Sequence, residues 1–313
     1  MSVKKENQHF LPRAFLKHFC IDRRSEIYES KFIGSNQKWL KPISKHTNSI
    51  SYSEDIYNVS LEFAKKNGIS SEFVERNSFW YEKGYMDELI SKVENDTVQQ
   101  SDIEKLPDFY LSMISRNPVF MNGFDPAKTD HLLDEQLANL QKESKWVKKM
   151  ARLTSNKKLN KWFAVLRSKF VVEQTQEQMY SMSMYKQYTG QSAAYKEIMD
   201  EIQGYKVMIG RIRNDNHFFL TSDSPGFSVC RDSKIYPLKF KDDAFHYMPI
   251  SSKVMVALLH PVYSFDAPQF SVVDVTLETL NYINDGTIKA SSEYVYCENK
   301  EFLFEILANR RGK

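Results

Sequence analysis

The spacing of apolar residues changes repeatedly along the chain. Near the start, Phe15, Leu16 and Phe19 form one stripe behind Pro12. This predicts a short helix over residues 10–20, with the proline in a first turn where its missing N–H costs nothing. The period then drops to two, and Glu26–Ile33 reads as a strand. Between Asn36 and Asn58, Pro42 and several Ser and Asn break any period, so this stretch reads as irregular. Helical spacing returns near Gly84. Met86, Leu89, Ile90 and Val93 share a stripe with Glu94 beside it, and Phe109–Ile114 continues in helix up to Asn117-Pro118. Leu133, Leu137, Leu140, Trp146, Val147, Met150 and Leu153 outline a long amphipathic helix, and Leu159, Trp162, Phe163, Leu166 and Phe170 another. Tyr195, Ile198, Met199 and Ile202 form the last stripe before Gly204.

Past Gly204 the pattern shortens. Tyr205–Ile212 and His217–Thr221 read as strands around a hairpin turn at Arg213–Asn216. Tyr236–Phe240, His246–Ile250, Val254–Leu259 and Tyr294–Cys297 add further strands, Val272–Ile283 reads as helix, and a small helix ends the chain. The expected fold class is α+β: a largely helical body over 1–203 with a short N-terminal strand, and a smaller mixed sheet with a helix over 204–313. The two are expected to pack as one unit.

Composition sharpens this picture in four respects. With 313 residues, 42% of them hydrophobic, and 21 Phe and 17 Tyr, the chain has material for a real core and is no disordered adaptor. Cys20, Cys230 and Cys297 are isolated and odd in number, as for thiols in a reducing compartment. The polar start lacks a signal-peptide pattern, and the most apolar run, from Val254, is too short to span a bilayer. A cytoplasmic, non-membrane protein is expected. The net charge of +3 hides an asymmetry. Residues 141–169 carry ten Lys or Arg and one acidic residue, whereas 242–309 carry ten Asp or Glu against three Lys. Lys145, Lys148, Lys149 and Arg152 would form one ridge on a helix, extended by Lys158 and Lys161. Such a ridge suits phosphate, the acidic half of the chain, or plain solvation.

Two local motifs invite chemistry. His9 precedes the first helical stripe, and Asp223 lies in Thr221-Ser222-Asp223-Ser224-Pro225, where small polar residues stop an apolar run. With them, the order His9, Pro12, Leu16, Phe19; Ser53-Glu54-Asp55-Ile56-Tyr57; the helix through Glu94; Ser115-Arg116-Asn117-Pro118; Phe219 to Pro225; and Met248-Pro249-Ile250-Ser251 to Leu280-Asn281 resembles the DUF4238 family nearly end to end. Ser224 stands where that family usually has Asn. The resemblance implies no settled activity. Its matched polar positions are His9, Glu94, Arg116, Asp223 and Asn281.

That set would suit metal-assisted phosphodiester hydrolysis. Asp223 and Glu94 would hold Mg2+ or Mn2+, His9 would activate water, and Arg116 would grip the phosphate. Each residue also has an architectural reading: His9 or Asn281 as a cap, Asp223 as a turn lock, Glu94 and Arg116 as an interior ion pair. The functions left open are a phosphodiester-directed effector such as a nuclease of defence or mobile elements, a sensor or partner-binding protein that pairs with another chain or its own copy, and a hydrolase or transferase acting on a small nucleotide-like substrate. No Gly-rich phosphate loop, His-Glu-x-x-His helix or Gly-x-Ser-x-Gly elbow is present.

Overall fold

The computed structural model describes residues 7–21, 25–54, 57–59, 61–77, 84–116, 176–237, 244–262, 266 and 268–308. The chain opens with β1 (Asn7–His9) and one helical turn, α1 (Arg13–Leu16), whose N-cap is Pro12. Three strands follow, β2 (Glu26–Ile33), β3 (Lys38–Trp39) and β4 (Ile43–His46), and then β5 (Tyr52–Glu54). The described helices of the middle are α2 (Leu61–Asn67), α3 (Phe73–Asn77), α4 (Tyr85–Glu94), α5 (Gln100–Ile103), α6 (Leu106–Ser115), α7 (Gln176–Tyr188) and α8 (Ala193–Ile202). The last third runs through β6 (Lys206–Arg211), β7 (Thr221–Ser222), β8 (Phe227–Val229), β9 (Ile235–Tyr236), β10 (Phe245–Pro249), β11 (Val254–Leu259) and β12 (Phe270–Asp274). Helix α9 (Leu277–Ala290), strand β13 (Tyr294–Cys297) and helix α10 (Lys300–Ala308) complete it.

These strands form two substantial sheets and a ribbon. One sheet has the order β12-β6-β11-β10-β8-β9, the other β3-β2-β13-β7 with β4 also on β2, and β1 pairs with β5 alone. The expected helical body with a small C-terminal sheet is therefore corrected. Strands fill much of residues 7–54, and β2 pairs with β13, so one sheet is assembled from both ends of the chain. The region read as irregular, 36–58, supplies β3, β4 and β5. Short strands escape a periodicity test because two to four residues carry hardly one repeat.

Two further readings change. His217–Thr221 forms no hairpin with β6, whose partners are β11 and β12. Instead the chain changes sheets after Arg213, and Lys253 holds the connecting loop. Its ammonium donates to the carbonyls of Asn214 and Asp215 at 3.0 Å and of His217 at 2.6 Å, over the Phe218 ring. Residues 272–274 are strand, with the helix starting only at Leu277, where the Thr276 hydroxyl accepts the Thr279 N–H.

Alternation along β11 shows how the six-stranded sheet is covered. Val254, Val256 and Leu258 join the main core with Phe15, Phe19, Val93, Phe109 and Tyr180. Met255 and Ala257 face the other way, toward Phe227, Leu280 and Ile283. Helix α9 approaches closely there, and a Cβ on Gly286 would collide with the Phe227 ring. The long amphipathic stretches from Leu133 to Phe170, and the whole basic run 141–169, lie outside the described residues. No described helix is long and apolar enough to cross a membrane.

Candidate functional site

The five-stranded sheet has two unlike faces. Tyr28, Phe32, Trp39, Val295 and Cys297 cluster with Leu303 and Leu307 of α10. The alternate positions point the opposite way, and register places Glu29, Tyr296 and Thr221 in one row across β2, β13 and β7. Ile43 of β4, opposite Glu29, continues the row and is 52% exposed. Exposure then falls to 9% at Glu29, 1% at Tyr296 and 0% at Thr221. The row passes from an open rim into a sealed interior, and Glu29 stands at the transition.

Two groups in this row lack partners among the described residues. The Thr221 hydroxyl makes no hydrogen bond. No hydrogen bond or ion pair engages the Glu29 carboxyl. Burial pushes Glu29 above the ordinary carboxylate range. The ammonium groups of Lys45 and Lys31 pull it back, and the charge of Asp223 pushes it further up. Between the two, the Tyr296 hydroxyl meets the Ser51 hydroxyl at 3.0 Å.

Asp223 is 2% exposed, and its carboxylate is occupied. It accepts the backbone N–H groups of Ser292 and Glu293 at 2.7 Å and of Tyr294 at 3.1 Å. The carboxylate thus locks the connection from α9 into β13. Ser222 closes that turn itself, its hydroxyl donating to the Ser224 carbonyl and accepting the Ser224 N–H.

His9 and Arg116 come together. Arg116, 2% exposed, donates through Nη2 to the His9 carbonyl and through Nε to the Tyr57 hydroxyl, both at 2.8 Å. Its guanidinium lies 5.0 Å from the centre of the Tyr57 ring. His9 Nδ1 donates to the Ile50 carbonyl at 3.1 Å, which puts the proton of a neutral imidazole on Nδ1. The next residues, Phe10 and Ser51, are joined by a backbone bond of 2.9 Å. A chain of contacts through Ile50, Ser51 and Tyr296 therefore leads from His9 toward the Glu29 row.

The other predicted residues lie elsewhere. Glu94 is exposed at the end of α4, beside Asp96 and the Val93 carbonyl that bind Arg211 of the six-stranded sheet. Asp223 belongs to the other sheet. Among the described residues no group of three or more His, Cys, Asp or Glu is placed to hold a metal ion. Asn281 is exposed, whereas Asn284, one turn on, is 1% exposed. Its side chain accepts the Leu220 N–H and donates to the Phe218 carbonyl, each at 2.9 Å. Lys145, Lys148, Lys149, Arg152, Lys158 and Lys161 lie outside the described residues.

Among the described residues, one Ser–His pair and two thiols are sealed. Ser228 Oγ meets His246 Nδ1 at 2.9 Å, but both are 0% exposed, and burial, reinforced by His260, pushes His246 down to about 3. Burial pushes the thiols of Cys20 and Cys297 up to about 12.

Sequence reasoning missed Glu29, Lys45, Ser51, Thr221 and Tyr296 as site residues. Glu29 had a readable signal. It sits in phase with Ile27 in an alternating strand, a carboxylate on an inward position.

No curated protein and no solved structure matches this chain. The family model of DUF4238, described as a protein of unknown function, matches residues 7–301, and the chain belongs to that family.

Proposed function

We propose that this chain is a hydrolase or transferase acting on a small phosphorylated, nucleotide-like substrate. The observation that carries the reading is the unpaired Glu29 carboxyl, where the row Ile43–Glu29–Tyr296–Thr221 passes from exposed to buried. A buried carboxyl whose proton affinity is raised from its ordinary value is suited to deliver a proton to a leaving oxygen. Glu29 donates its proton to the leaving oxygen as the P–O bond breaks. Water or an acceptor hydroxyl then adds to phosphorus and returns a proton to the Glu29 carboxylate. Asp223 acts at a distance, by fixing β13 and with it Tyr296.

Arg116 and Asp223, first assigned to phosphate and metal, spend their described hydrogen bonds on protein groups, which favours a small substrate at Glu29 over a nucleic acid gripped by those two. Cys20, Cys230 and Cys297 are buried thiols, which fits a reducing, cytoplasmic setting. The test is a turnover panel of phosphomonoesters, nucleoside mono-, di- and triphosphates, single- and double-stranded DNA and RNA, each with and without Mg2+ or Mn2+. Turnover of a small phosphorylated compound is expected. Cleavage of polymers alone would return the weight to the nuclease reading with the basic run 141–169 as its nucleic-acid surface. No turnover at all would favour a partner-binding protein.

A further inference from the structure

Beside Glu29 stands a cation that acts on it through its charge but makes no close ion pair among the described residues. Lys45 of β4 pairs in register with Ile27, so it lies diagonal to Glu29 on the same face of the sheet. It is half-buried, and among the described residues no hydrogen bond or ion pair engages its ammonium. Lys31, two residues on from Glu29, is different. Its ammonium is 3.1 Å from the Glu293 carboxylate and 4.9 Å from the centre of the Tyr294 ring. Across the sheet, Asp223 is held by three backbone N–H groups.

We propose that Lys45 and Glu29 together form a phosphate-binding subsite at the open end of the row. This rests on the reading of that row as the reaction site. A half-buried ammonium is a point-charge phosphate ligand, and the carboxyl beside it, once it takes up a proton, supplies an O–H donor. A phosphate monoester bound there would share its oxygens between the two, with its ester oxygen turned toward Glu29. Exposed Ile43 leaves the rest of such a substrate an apolar edge to lie on. Glu29 is nine-tenths buried with no hydrogen bond among the described residues, and an incoming phosphate would supply one.

The test is calorimetric titration of the full chain with inorganic phosphate, AMP and acetate, using Lys45→Met, Lys31→Met and Glu29→Gln variants whose circular dichroism matches the parent. Phosphate and AMP are expected to bind the parent, and acetate to bind far more weakly. Lys45→Met weakens phosphate by about tenfold or more, while Lys31→Met changes it by less than about twofold. Glu29→Gln binds phosphate at least as tightly as the parent, because its amide donates a hydrogen bond without the charge of a carboxylate. Parent-like phosphate binding in Lys45→Met, loss of binding in Glu29→Gln, or equal binding of acetate would overturn the subsite. If Lys45→Met binds normally while a small phosphorylated compound is still turned over, the subsite is lost and the enzymatic reading stands. Phosphate bound through Lys45 with no turnover of any compound would keep the subsite and remove that reading.

Discussion

Arg116 reaches across 107 residues to donate to the backbone carbonyl of His9. The bond explains why both residues matter to the fold, since it fastens β1 over the end of α6, with Tyr57 sharing the contact. Replacing Arg116 by Met leaves the His9 carbonyl and Tyr57 hydroxyl without their charged donor. The loss expected in urea unfolding is about 3 kcal/mol, with Tyr57→Phe costing about 1 kcal/mol. An Arg116→Met protein as stable as the parent would contradict a clamping role.

Asp223 supports a sharper comparison. In Asp223→Asn an amide NH2 must face N–H groups that the carboxylate now accepts, so stability should fall by about 2–4 kcal/mol in metal-free buffer. A residue whose task was only to hold a metal would show little loss there. Chelator-treated protein in a urea titration distinguishes the two.

The two asparagines of α9 form an internal control. Asn284→Ala removes the side chain that ties residues 218 and 220 to the helix, at an expected cost of about 2–3 kcal/mol. Asn281→Ala, on the exposed side, should stay within about 0.5 kcal/mol. Thermal melting of both variants checks the pair, and equal effects would remove the assignment.

That one-turn offset shows how far the sequence could be read. The strands 26–33, 254–259 and 294–297 were legible because each is long enough to alternate or to run apolar between turn signals. The Asn284 contact was not, because helical spacing gives a face without saying which loop lies against it. Asp223 was visible as a polar stop, but its partners at 292–294 lie at the entry to β13, 70 residues away, and contacts across such distances leave no local trace. The same holds for the union of β2 with β13, which turned an expected helical body into a two-sheet fold. Glu29 could have been found from its phase with Ile27. Lys45 could not, since nothing local places β4 beside β2.

His246 gives the chain a pH dependence of known sign. Unfolded, its imidazole takes up a proton near 6.5, and folded only near about 3. The contribution of the neutral, buried ring is therefore complete above 6.5 and is lost as pH falls from 6.5 toward 3. The slope from this one group is about 1.4 kcal/mol per pH unit across that window. Urea unfolding at several pH values should show His246→Gln with a shallower slope by that amount. An identical slope would mean that the ring is protonated in the folded protein.

The central claim is that Glu29 carries the chemistry, and the kcat of Glu29→Gln on the best small phosphorylated substrate tests it most directly. Fold and substrate affinity should persist, because a neutral amide suits the buried position at least as well as a carboxyl. The expected kcat is lower by about 10²–10⁴-fold, the range for loss of a general acid or base. A kcat within about twofold of the parent, with the melting temperature unchanged, would show that the reaction does not pass through Glu29.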